Sequence, residues 1–211
     1  ARTLAGCIFP VGLMMIVFVG GELFTGDCMM SMAWMQRKIH FADMLRTLVL
    51  VYVSNFVGAA LIAFLVAHSG QYDYSSGALG AYTIKVAYGK VHLSFANALV
   101  SGILCNILVC VAVLMAAAAK DIAGKVLAIF FPILAFVVSG FEHCVANMYY
   151  IPAGIFASKN AAYAAKALEL YNIDSTQLSS LNWGSFAITN LIPVTIGNII
   201  GGALLVGGAC F

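Results

Sequence analysis

The stretch "FPILAFVVSGFEHCVAN" (Phe131–Asn147) sets an acid and an imidazole, Glu142 and His143, side by side in otherwise apolar surroundings. An earlier stretch, "FPVGLMMIVFVGGELFTGD" (Phe9–Asp27), echoes it: Phe-Pro, an apolar run, Gly, an acid, then Thr25 in one copy and His143 in the other. A second pair follows in the same order, "NFVGAAL" from Asn55 and "NIIGGAL" from Asn198. Two echoes in one order describe an internal repeat, and a repeat governs every finer assignment.

Composition says where such a repeat resides. The chain is 63% apolar and only 9% charged, whereas an ordinary soluble domain is about half apolar and a quarter charged. That is the balance of an integral membrane protein. The length accommodates several passes of roughly 20 apolar residues each, and one membrane domain over residues 1–211 is the expectation. A net charge of +2 with no Lys/Arg run offers no face for nucleic acid. Cys7, Cys28, Cys105, Cys110, Cys144 and Cys210 stand in apolar surroundings without a CxxC pair or zinc-site spacing, and read as small core residues. The sequence opens at Ala1 beside a hydrophobic run, with no initiator Met and no charged leader.

Five apolar segments of near-spanning length stand out, about Leu4–Phe24, Leu45–Ala67, Leu93–Ala119, Val126–Tyr150 and Phe186–Val206. Backbone groups in lipid must be bonded within their own segment, so these are helices and the fold class is all-α. The short connections hold their cations densely: Arg37, Lys38 and Arg46 in one, Lys120 and Lys125 in the other. The two longer ones, about His68–His92 and Ala153–Trp183, carry theirs thinly. Cation density places the short loops in the cytoplasm. By that count the two echoes run in opposite directions, an inverted repeat in which sites lie where interrupted helices meet. Gly20, Gly21, Glu22, Thr25 and Asp27 interrupt one copy, and Gly140, Glu142 and His143 the other. Polar residues at that depth are tolerated where they line a cavity or are shielded from lipid.

The motifs "GGELFTG", "GILCNILVC", "SGFEHCVANMYYIP" and "NLIPVTIGNIIGGALLVG", in that order, resemble the formate/nitrite transporter family, which includes hydrosulfide channels. The resemblance covers Pro10 to Gly208. It implies an aquaporin-like, inverted-repeat helical bundle with two broken helices. It also implies a homopentamer in the plasma (inner) membrane whose protomers each carry a pore for small monovalent anions and protons. The family has six helices where five are visible here, so its first helix is expected upstream of Ala1. No cofactor, no metal and no covalent chemistry on the substrate are expected, which makes this a non-enzyme.

The resemblance also assigns residues. His143 is the expected pore centre: an imidazole titrates near neutral pH, and moving a neutral acid through an apolar constriction costs far less than moving its bare anion. Thr25 faces it in the family, with a hydroxyl that both donates and accepts. Asn198 matches the residue that supports this His, and Asn55 is its repeat counterpart, more suited to satisfying backbone at a break. Lys90 and Asn106 match positions at the outer mouth and beside the pore, although an interfacial Lys also snorkels for no other reason than its own charge. Leu23, Phe24 and Phe136 match two hydrophobic constrictions that shed water from hydrated ions.

Competing readings attach to the same residues. Glu142, His143 and Cys144 in a row suggest a metal site, but helical neighbours point about 100° apart and cannot close around one ion. Glu142 and Glu22 are therefore expected to serve backbone. Met29, Met30, Met32 and Met35 are irregularly spaced filler rather than a copper site. Two rival functions remain: a pore for water or neutral solutes, and a membrane metal-binding redox protein using His40, His92, His143 and the cysteines.

Overall fold

A computed structural model describes residues 2–211, and the described residues fold into helices and short turns with no strand. Five helices are long and apolar enough to cross a membrane: Arg2–Val19, Phe41–His68, Phe95–Ala118, Ile122–Ser139 and Trp183–Ala209. The first is interrupted at Phe9 into α1 (Arg2–Ile8) and α2 (Pro10–Val19). Pro10 supplies the cause, since it has no N–H to donate to the preceding turn but is well suited to open a helix.

Both repeat copies break as expected, and earlier than the segment ends read from hydropathy. After α2 the chain leaves the helix at Gly20 and resumes it in α3 (Phe24–Asp27) and α4 (Met30–Met35). After α5 (Phe41–His68), a 3₁₀ turn (Gln71–Asp73) leads into α6 (Ala78–Val91). Next come α7 (Phe95–Ala118) and α8 (Ile122–Ser139), whose first turn is capped by Asp121 accepting from the Gly124 N–H at 2.7 Å. The second break follows, then α9 (Cys144–Ser158), α10 (Ala161–Tyr171), α11 (Ser175–Ser179) and α12 (Trp183–Ala209). α12 is π-helical at Phe186–Leu191 and Ile200–Val206.

Contacts divide the chain into two units, Ala1–Val53 with Leu99–Cys144 and Val194–Phe211, and Ser54–Ala98 with Val145–Pro193. The core of the first joins Leu13, Cys105, Val109, Ala112, Ile129, Ile133 and Phe136, drawn from α2, α7 and α8. Glycine packs there directly against backbone: a side chain on Gly197 would strike the Leu99 carbonyl, and one on Gly201 the Ile103 carbonyl. This four-residue spacing of small residues lets two membrane helices approach closely without help from the hydrophobic effect. Ser31 donates to the Ala203 carbonyl at 2.9 Å and joins α4 to α12.

In the second unit, Gly154 of α9 leaves room for Ala87 and the Thr83 carbonyl of α6, while Gly80 accommodates the ring of Tyr163 from α10. The Tyr163 hydroxyl donates to Asp73 at 2.6 Å. The exposed carbonyls at the end of α6 are satisfied by side chains: Asn190 donates to Lys90 O at 2.9 Å and Thr189 to Val91 O at 2.8 Å. Thus the two long connections of the sequence reading are largely helical, the first containing α6 and the second α10 and α11, all too short to span.

Candidate functional site

Each break is made by a glycine in the left-handed region, φ 77° at Gly20 and 74° at Gly140. Such a residue ends a helix by turning its own N–H, and the next, back onto the last carbonyls. Gly20 and Gly21 both donate to Ile16 O at 2.9 Å, and Phe141 donates to Phe136 O at 3.2 Å. Three non-helical residues follow in each copy, Gly21–Leu23 and Phe141–His143, before helix resumes at Phe24 and Cys144. Position for position, then, Leu23 corresponds to His143. Thr25 lies two residues further on, inside α3.

The fold brings Thr25 and His143 together nevertheless. The Thr25 hydroxyl stands 2.9 Å from His143 Nε2, with Thr25 fully buried and His143 7% exposed. Either Nε2–H donates to the hydroxyl or the hydroxyl donates to the ring, according to tautomer. Behind the pair runs a closed circuit of side-chain amides. Asn106 Nδ2 donates to Thr25 O at 3.1 Å and to Asn198 O at 2.6 Å. Asn198 Oδ1 accepts from Cys144 N at 2.8 Å, and its Nδ2 donates to Glu142 O at 3.1 Å and Gly102 O at 2.8 Å. One amide therefore grips the residue before His143 and the residue after it, which fixes the backbone from which the imidazole projects.

Aromatic contacts bound the pair. Phe136, 3% exposed, lies 6.0 Å from the His143 ring and meets Phe9 edge-on at 5.4 Å. Leu23 packs against the same cluster. Phe24 meets Tyr52 edge-on at 4.8 Å, and Tyr52 shares a 2.9 Å hydrogen bond with Thr195. Lys90 belongs to the second unit, on the last turn of α6 with Nζ 5.7 Å from the Tyr150 ring centroid. Asn55 likewise lies in the second unit, in α5.

Several participants escape the sequence reading. Cys110 Sγ lies 3.4 Å from Thr25 O and is its second donor. Phe9, Tyr52 and Thr195 buttress the aromatic walls. Asn147 donates to Asn190 at 2.8 Å, and both are fully buried. Asparagine within an apolar run is the signal that marks Asn147 and Asn190, whereas nothing in residue type distinguishes Phe9 or Cys110 from packing. No group of three or more His, Cys, Asp or Glu among the described residues is disposed to hold a metal ion.

The model of the family described as "Formate/nitrite transporter" matches residues 1–211. The chain belongs to that family. Within the formate/nitrite transporters it is 38% identical over 206 residues to the formate channel FocA of Haemophilus influenzae, spanning 98% of this chain and 72% of that one. It is 41% identical over 211 residues to the formate channel BtFdhC of Bacillus thuringiensis, covering all of this chain and 72% of the relative. A solved structure described as a pentameric formate channel with formate bound superposes with a TM-score of 0.86 at 34% identity, over 99% of this chain and 81% of that one. The protein is thus a multi-pass integral membrane protein of a channel and transporter family, not an enzyme.

Proposed function

We propose that this formate/nitrite transporter conducts small monovalent anions of the formate, nitrite and hydrosulfide class through a pore centred on Thr25 and His143. The observation that carries the reading is the hydroxyl–imidazole pair at 2.9 Å, held by amides and walled by Phe136. A hydroxyl and an imidazole N–H offer hydrogen bonds where a dehydrated anion has lost its water, and neither adds a fixed negative charge. The imidazole has a second capability: at near-neutral pH it passes a proton to a weak-acid anion. The permeant species then crosses the apolar constriction uncharged, which avoids most of the transfer cost. Leu23, Phe24 and Phe136 act as the constrictions, and Lys90 raises the local anion concentration at the mouth. Asn198 and Asn106 orient the pair. Relatives named as formate channels and the pentameric neighbour support formate as a substrate and a homopentamer as the assembly in the plasma membrane.

Competitive uptake of formate, nitrite and hydrosulfide into proteoliposomes tests this, comparing wild type with His143→Asn, with and without an inward proton gradient. The expected result is uptake of at least one anion that responds to the gradient in wild type and not in the variant. Flux of none of the three above empty liposomes overturns the reading, as does flux indifferent to both gradient and variant.

A further inference from the structure

The aromatic neighbours of the central pair are held in two different ways. Phe136 leans on Phe9, an apolar ring packed against the core of the first unit. Phe24, 4% exposed at the start of α3, leans instead on Tyr52 of α5, edge-on at 4.8 Å. Tyr52 is tied in turn to α12, where its hydroxyl shares a 2.9 Å hydrogen bond with Thr195. All three residues lie in the first unit.

That tie is a dedicated one. A threonine in a membrane helix commonly returns its hydroxyl to a carbonyl one turn back, as Thr83 does to Leu79 O at 2.9 Å and Thr189 to Ser185 O at 2.7 Å. Thr195 directs its hydroxyl across to α5. Its branched side chain is stiff at χ1, and an unpaired phenol is costly in apolar surroundings, so the tyrosine ring is confined to one place. A ring fixed in this way limits the ring it touches, because edge-to-face contact has a preferred geometry. Thr195 also stands three residues before Asn198, on the same side of the helix, and Asn198 grips Glu142 O and Cys144 N. One turn of α12 therefore anchors both the Phe24 wall and the His143 backbone, which couples the position of the wall to that of the imidazole.

We propose that Tyr52 is a positioning residue for selectivity: tied to Thr195, it sets the aperture at Phe24 and so the size limit that admits anions of formate dimensions and holds back a carboxylate with one more carbon. Tyr52 acts through Phe24 rather than on the anion. The inference rests on the reading of Phe24 as a constriction.

The test measures formate and acetate uptake into proteoliposomes under one inward proton gradient and takes the acetate-to-formate ratio of initial rates. Tyr52→Phe keeps the ring and removes the tie, and Thr195→Val removes it from the other end. In both the ratio is expected to rise about fivefold, the scale of one hydrogen bond between neutral groups, and the double variant to rise no further than either single one. Thr195→Ser, which retains the hydroxyl, is expected to keep the wild-type ratio. A proportional fall of both rates in the single variants, leaving the ratio unchanged, overturns the proposal and makes Tyr52 a support for the fold only. So does a ratio that rises equally in Thr195→Ser and Thr195→Val. Phe24→Ala separates this inference from the reading beneath it. If Phe24→Ala raises the ratio and Tyr52→Phe does not, the inference fails and the constriction stands; if Phe24→Ala leaves the ratio unchanged, both fail.

Discussion

The Thr25 hydroxyl lies 2.9 Å from Nε2 of His143, a residue 118 positions away in the chain. The two repeat copies meet unequally at this point, since the position equivalent to His143 is Leu23. One copy contributes a titratable ring and the other a hydroxyl from two residues further along. A symmetric pair of imidazoles would repel one another when protonated, whereas a hydroxyl accommodates either protonation state by turning its hydrogen.

Thr25→Val keeps the volume of the side chain and removes its hydrogen bond. Anion flux in proteoliposomes is expected to fall about tenfold, the scale of one hydrogen bond lost at the narrowest point. Thr25→Ser, which retains the hydroxyl, is expected to keep most of the flux. Equal loss in both variants would assign Thr25 to packing alone.

Asn198→Ala withdraws the partner of Cys144 N, Glu142 O and Gly102 O at once. Each hydrogen bond lost to a buried backbone group costs about 1 kcal/mol. The melting temperature in detergent is expected to drop by roughly 10 °C, with flux lost alongside it. Asn198→Asp retains the acceptor for Cys144 but neither donation, and is expected to melt low as well. Wild-type melting in both would remove Asn198 from the frame that holds His143.

Much of this frame was legible in the residues and part of it was not. The breaks were, because a glycine followed by an acid ends an apolar run in both copies, and little else explains Glu142 and His143 at that depth. α6 and α10 were hidden by the search for spanning length. "ALGAYTIKVAYGKV" and "AAYAAKALELY" are short and mixed in polarity, and hydropathy passes over them. Local chemistry marked α10 all the same: Asn160 caps it by accepting from Ala162 N at 2.9 Å, and Asn172 closes it with a left-handed φ of 55°. The circuit through Asn106 and Asn198 was legible only as buried amides. Which carbonyl each one serves depends on packing between helices far apart in sequence.

Two glycines make a matched test of helix approach. An alanine at Gly154 would strike Ala87 and the Thr83 carbonyl, whereas one at Gly58 meets nothing within 4 Å. Gly154→Ala is expected to lower folded yield and melting temperature, because a Cβ fixed to the α6 backbone cannot yield as the tip of a long side chain does. Gly58→Ala should be neutral or stabilising by about 0.5–1 kcal/mol, the propensity gain inside a helix. Equivalent melting of the two variants would contradict the close packing of α6 on α9.

Tyr163 and Asp73 give a pH dependence whose sign is fixed by their geometry. The phenol donates to the carboxylate at 2.6 Å, and this hydrogen bond raises it above its ordinary value. A group raised on folding contributes stability that is fully present below its unfolded value, about 10 for tyrosine, and lost as pH climbs through the folded one. Wild type is therefore expected to melt higher than Tyr163→Phe at pH 8, with the difference shrinking as the pH is taken above 10. Asp73→Asn removes the charge that retains the proton, and its melting curve should follow that of Tyr163→Phe across the same range. A wild-type advantage that stays constant from pH 8 to 11 would mean the contact works through ring packing on Gly80, and the hydrogen bond would then contribute nothing measurable.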